Sequence, residues 1–213
     1  MINVTLALHS AIQFYHRGAL REAEHILNTI IKHAPRHAEA IHILGVIAHR
    51  SGDRDKAVRL FAQAISLKPD SPLFHNSKGM ALAEMGSYDD ALDHYQEALR
   101  LKPNFAVVFN NMGNLMPDQG DSASAAIHYR KALQLQPDDP ESHTNLANVL
   151  REQGDDSSAI EHCQEALRLR PDFWGAKYHL GLIMSERGNH DAAIPIFQEI
   201  VALQPRFSPA RIN

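Results

Sequence analysis

The chain has 213 residues, 22% of them charged, and a formal net charge of −4 with no Lys/Arg block or basic stripe. Neutralising phosphates needs a cationic footprint, so a nucleic-acid partner is not expected. No run approaches the ~18 apolar residues that span a bilayer. Met1 to Gly18 lacks a basic leader region, and Cys163 is the sole cysteine, which rules out an internal disulfide. The expectation is a cytoplasmic chain with no membrane partner.

Proline recurs at Pro35, Pro69, Pro103, Pro137, Pro171 and Pro205, an unbroken interval of 34 residues. An interval of that length marks a stacked repeat. Helices stop near proline, which lacks an N–H and disfavours helical geometry in the residue before it. The register gives six units, 4–37, 38–71, 72–105, 106–139, 140–173 and 174–207, as one continuous array.

Each unit reads as helix, tight turn, helix. Gly18, Gly52, Gly86, Gly120, Gly154 and Gly188 end the first helices, where a left-handed residue is least strained. Asp53, Ser87, Asp121, Asp155 and Asn189 follow as N-caps of the second helices. Small residues at position 8 (Ala11, Gly45, Gly79, Gly113, Ala147, Gly181) let the paired helices approach closely. Position 24 carries Leu27, Phe61, Tyr95, Tyr129, Cys163 and Phe197, mostly bulky core groups.

Along the chain, unit one departs from the pattern with Ala7 and Ser10, as suits an end unit with one neighbour missing. Unit three places His75 and Lys78 at those positions, and Lys78 is expected to snorkel to solvent. Unit four carries Pro117 late in its first helix, and unit six carries Pro195 inside its second; both predict local bends. Residues 208–213 begin a seventh unit, so the second helix of unit six is expected to expose apolar surface from among Ile194, Phe197 and Val201, an assembly surface.

Unit four, with Phe109, Met112, Gly113, Met116, Gly120, Ala125, Tyr129, Ala132 and Pro137, resembles the tetratricopeptide repeat family, and the likeness extends over residues 4–207. It implies an all-α solenoid, a right-handed superhelix of six helix–turn–helix units plus a truncated seventh. It also implies a concave groove lined by positions 2, 5, 6, 9, 12 and 13 of the first helices. Units one and two bring mainly apolar groups there, Leu8, Ile12, Tyr15, Ile43 and Val46, with His9, His42 and Arg50. Further along stand Asn110, Asn111, Asn114, Asn145, Asn148, Arg151, Tyr178 and His179.

Asparagine carries both donors and an acceptor, so such a cluster clamps the main chain of an extended peptide without reading its sequence. It is a mediocre helix former, and five on two helices want a reason. The ordinary alternative is solvated surface and inter-repeat hydrogen bonding. Asparagine ladders of this kind resemble the peptide-binding superhelix of O-GlcNAc transferases, and Glu39 to Ala48 resembles the arrays of SPINDLY-like proteins. Glu84, Asp118, Glu152 and Glu186 repeat at position 13, an acidic rim that fits either cationic ligands or plain solvent. Asn110 and Gly175 stand where a chaperone-tail clamp needs lysines, which excludes that adaptor reading.

His94, His128 and His162 form a column with a spacing of about 10 Å between adjacent units, too far for one zinc ion, and are expected to be packing groups. His33 and His37 are separated by Pro35. No nucleophile motif, phosphate-cradling glycine loop or close carboxylate pair stands out, so neither catalysis, cofactor nor metal is expected. Three readings remain open: a non-catalytic protein- or peptide-binding scaffold, the recognition arm of a larger transferase, and a scaffold that self-associates through its ends.

Overall fold

The computed structural model describes residues 3–116 and 121–203. Pro117, Asp118, Gly120, Pro205 and 208–213 lie outside them. The chain divides into two compact units, Met1–Asn104 and Phe105–Asn213. The first holds α1 (Val4–His16), α2 (Leu20–His33), α3 (Ala38–Arg50), α4 (Arg54–Leu67), α5 (Pro72–Glu84) and α6 (Tyr88–Leu101). The second holds α7 (Ala106–Leu115), α8 (Ser122–Leu135), α9 (Pro140–Glu152), α10 (Asp156–Leu169), α11 (Trp174–Glu186) and α12 (His190–Leu203). Among the described residues there is no strand. Each odd-numbered helix pairs with the one that follows it, as six helical hairpins.

The proline ladder acts through the residue before it. Ala34, Lys68, Lys102, Gln136 and Arg170 end the second helices with φ between −134° and −144° and ψ between 77° and 92°. That is the extended region into which a following proline pushes its neighbour.

Within the described hairpins the turn is tight, as Ser51, Gly52 and Asp53 show between α3 and α4. Gly52 has φ 83°, its N–H donates to His49 O, and the Asp53 N–H donates to Ala48 O at 3.0 Å. This is a Schellman closure. Asp53 also opens the next helix, its carboxylate accepting the Lys56 N–H at 3.0 Å. Asp121, Asp155 and Asn189 cap in the same way. Ser87 does not: α6 begins without a side-chain cap, a correction to the expected pattern.

The small position 8 serves as a seat for the ring at position 24. A Cβ on Gly45, Gly79, Gly113 or Gly181 would stand 2.6, 2.6, 2.5 or 2.8 Å from the ring of Phe61, Tyr95, Tyr129 or Phe197. Where position 8 is alanine, position 24 is smaller: Ala11 goes with Leu27 and Ala147 with Cys163, all fully buried. In the first compact unit neighbouring repeats share their core. Ala23, Leu27 and Ile30 of α2, for example, pack with Ala40, Leu44 and Ile47 of α3. A fully buried side chain of this size contributes about 1.5–3 kcal/mol.

Of the two off-ladder prolines, Pro195 lies within the described residues. α12 runs unbroken from His190 to Leu203 with Pro195 inside it. α7 is 10 residues long against 13 for α9 and α11. The Gly113 carbonyl, which a residue-117 N–H cannot serve, accepts instead from Met116 at 3.3 Å. The Asp121 N–H donates to Met116 O at 2.9 Å.

Candidate functional site

The groove residues of the second compact unit sit on α7, α9 and α11. Asn145 projects from α9 and donates its Nδ2 hydrogens to Asn110 Oδ1 at 3.2 Å and Asn114 Oδ1 at 3.1 Å. Those acceptors lie one turn apart on α7 and receive further donors: Tyr129 Oη reaches Asn114 Oδ1 at 2.8 Å, and Ser142 Oγ reaches Asn110 Oδ1 at 3.1 Å. With both Oδ1 atoms engaged, the network fixes the amide orientation. It leaves Nδ2 of Asn110, Nδ2 of Asn114 and Oδ1 of Asn145 unused, and Asn114 is exposed. Inter-repeat hydrogen bonding, the ordinary use of asparagine, therefore accounts for half of each amide. Asn111 is half-buried on the same helix.

One turn further, Arg151 is held on several sides. Its Nη1 donates to Glu186 Oε1 at 2.7 Å and its Nη2 to Asn148 Oδ1 at 3.2 Å, while Asn148 Nδ2 donates to Glu152 Oε1 at 3.1 Å. Asn148 thus links the guanidinium to Glu152. Arg151 Nε and His179 Nδ1 are both buried without a hydrogen-bond partner. Burial first, and the Arg151 charge second, push His179 down to about 4, so the ring is neutral at pH 7. Tyr178 packs edge-on to Phe197 with centroids 6.2 Å apart.

A profile of the tetratricopeptide repeat family matches residues 11–72, 48–104, 118–172 and 157–206, most of the chain. The chain belongs to the tetratricopeptide repeat family. No curated protein sequence matches it, and the comparisons give no support to the likeness to O-GlcNAc-transferase or SPINDLY-like arrays. Among solved structures it is similar to the APC/C hetero-tetramer Cut9–Hcn1, with TM-score 0.90 and 19% identity over 97% of this chain. This chain covers only 41% of that one. PilW, a type IV pilus biogenesis factor, gives TM-score 0.85 and 21% identity over 98% of this chain and 96% of its own. YrrB, described as a TPR protein with an unusual peptide-binding site, gives 0.61 and 17% over 86% and 95%. At these identities the likeness shows the fold alone.

The other sequence-predicted groups of this tetratricopeptide array fall into two classes. The acidic rim is already engaged: Glu84 accepts from Arg54 Nε at 2.9 Å and lies 3.0 Å from His49 Nε2, without hydrogen-bond alignment at the histidine. Glu152 and Glu186 hold Asn148 and Arg151 as described. His42, expected in the groove, is a core residue. It is 6% exposed, stacked on Phe74 with centroids 4.5 Å apart, and 2.9 Å from Ser77 Oγ. Burial pushes it down to about 4. Arg50 lies over the Tyr15 ring, 5.0 Å from its centroid.

At the end of the described chain only Ile194, 51% exposed, is open apolar surface. Phe197 is half-buried against Gly181, and Val201 is half-buried. Cys163 is buried and its thiol is pushed up to about 12 by that burial, the profile of an inert core thiol. No helix among the described residues is long and apolar enough to cross a membrane.

Sequence reasoning missed two features. Arg151 and His179 were read as separate groove residues, whereas they share one buried patch. The histidines at position 23 were compared only with each other, whereas their partners stand at position 4 of the same unit. His94 meets His75 and His162 meets His143. The signal was legible as a repeated His at both positions in units three and five.

Proposed function

We propose that this chain is a non-catalytic binding scaffold whose second compact unit holds an extended peptide by its main chain. The observation that carries this reading is the oriented amide set on α7 and α9. Two free donors, Nδ2 of Asn110 and Asn114, suit peptide carbonyls, and one free acceptor, Oδ1 of Asn145, suits a peptide N–H. Arg151 Nε and His179 Nδ1 extend the set with two buried polar atoms awaiting partners. Leaving such groups unmet costs about 1–3 kcal/mol each, which a neutral main-chain group relieves on binding. The guanidinium already faces two carboxylates, so an acidic ligand group is disfavoured there. YrrB's peptide-binding site and the Cut9–Hcn1 assembly are the kind of use this fold supports.

The test keeps the network and changes only its unused half. Asn110→Asp with Asn114→Asp retains both acceptors for Asn145, Tyr129 and Ser142 but replaces the outward donors. Wild type and variant are screened against one library of displayed twelve-residue peptides. The expected outcome is loss of at least ten-fold in affinity for the selected peptides, with unchanged thermal unfolding. Equal capture by both proteins refutes the proposal.

A further inference from the structure

Two histidine pairs of matching geometry stand two repeats apart, outside the groove residues. His75 Nδ1 on α5 lies 3.1 Å from His94 Nδ1 on α6, and His143 Nδ1 on α9 lies 2.9 Å from His162 Nδ1 on α10. The first ring of each pair is oriented by a main-chain carbonyl: His75 Nε2 is 3.1 Å from Pro69 O, and His143 Nε2 is 2.9 Å from Pro137 O. A carbonyl only accepts, so Nε2 carries the hydrogen and Nδ1 of the neutral ring presents a lone pair. Metal-binding histidines are held in this way, the remote N–H given to a carbonyl or carboxylate.

The spacing also fits one ion. Two nitrogens bound at about 2.0–2.1 Å lie about 2.9 Å apart at a right angle and about 3.3 Å apart at the tetrahedral angle. A carboxylate completes the pattern, because Glu97 and Glu165 each follow their histidine by three residues and share its helix face. Each is now held by a bidentate arginine: Arg100 with Glu97 at 2.7 and 2.7 Å, Arg168 with Glu165 at 2.8 and 2.7 Å. Both arginines are largely exposed, so solvent screens these bidentate pairs, and an ion must outcompete them for the carboxylate. In the sixth repeat a lysine in place of the first histidine spans to the carboxylate position. There the same two positions hold Lys177 and Glu199, whose side chains meet at 2.7 Å. As placed, no three His, Cys, Asp or Glu among the described residues converge on one point, so the carboxylate must turn from its arginine to the histidines.

We propose that His75, His94 and Glu97, and equivalently His143, His162 and Glu165, are two binding sites for a divalent ion of the zinc class. Imidazole with one carboxylate suits zinc, cobalt or nickel better than magnesium or calcium. The second ring of each pair moves its hydrogen from Nδ1 to Nε2 and turns the freed lone pair to the ion, and water fills the remaining positions. The fourth repeat is a built-in control. Phe109 and Lys131 replace the first histidine and the carboxylate, and His128 is stacked on Phe109 with centroids 6.4 Å apart.

The experiment is calorimetric titration of the chelator-treated full chain with Zn2+. Two ions per chain are expected. His94→Leu and His162→Leu, which borrow the Leu60 side chain found at that position of the second repeat, each remove one ion, and the double variant removes both. His128→Leu keeps two. Glu97→Gln with Glu165→Gln, at exposed or half-buried surface, weakens both sites at least ten-fold while circular dichroism stays native. A chain that takes up no Zn2+, or a folded double leucine variant that still takes two, overturns the proposal. Unchanged affinity in the double glutamine variant overturns the carboxylate's place in it.

Discussion

Gly79→Ala probes the packing that sets each hairpin. A methyl there would stand 2.6 Å from Tyr95 Cε1, 2.8 Å from Cδ1 and 3.2 Å from the Ala91 carbonyl oxygen. Carbon atoms rest comfortably at about 3.5–4.0 Å, so the ring must retreat by roughly 1 Å. Tyr95 is 2% exposed and has little room to do so. Overpacking of this order costs about 1–3 kcal/mol, and the better helix propensity of alanine returns about 1 kcal/mol. The expected net loss is about 0–2 kcal/mol, a Tm fall on the order of 2–4 °C per kcal/mol.

The sign reverses when the ring is removed. In a Tyr95→Leu background the same methyl recreates the Ala11–Leu27 combination of the first repeat, fills part of the space left by the ring and keeps its propensity gain. Urea unfolding of wild type, both single variants and the double variant closes a cycle, with a coupling energy of about 1–3 kcal/mol expected. Equal denaturant slopes across the four proteins are required, since stacked repeats do not always unfold as one unit. If Gly79→Ala shifts stability equally in both backgrounds, the ring-on-glycine argument is wrong.

Two further predictions concern stability. His42 is held neutral at about 4 in the folded chain against 6.5 ordinarily. The unfolded chain therefore binds the extra proton first, and stability falls as pH drops from 6.5 through 4, by roughly 3 kcal/mol in total. His179 and His94 share this depression, so His42→Phe should reduce that part of a stability-versus-pH curve without flattening it, and an unchanged slope excludes His42 as a contributor. Asp53→Ala removes a side-chain cap and should cost about 1 kcal/mol. Ser87→Ala removes none and should leave chemical unfolding unmoved; equal losses at both sites would contradict the cap assignment.

The hairpins were legible because their signals are local. Proline acts on the residue before it, glycine on its own φ, and aspartate on the amide three residues ahead, so a single repeat register places them all. The seat of the ring was half-legible. Small residues at position 8 predicted close approach, but the exchange of Gly–aromatic for Ala–Leu or Ala–Cys emerges only when the two columns are read against each other. Side-chain networks were not legible. That Asn145 would bridge Asn110 and Asn114, that Asn148 would hold Arg151, and that His42 would lie inward depend on how adjacent helices face each other, which a one-dimensional register does not encode. Ser87 shows the same limit in miniature, since a capping residue type does not guarantee the rotamer that caps.

The tight turn between α3 and α4 leaves that hairpin no slack. Asp53 finishes one helix with its N–H and begins the next with its carboxylate. An insertion between Gly52 and Asp53 would separate those two duties. An extra residue taken up by the following helix would rotate it by about 100°, carrying Phe61 off its glycine and around toward solvent. An added residue is therefore expected to be tolerated less well in the turns than in the proline-marked connections between hairpins. There the chain is already extended, and an added residue changes how repeats follow one another without undoing any single one.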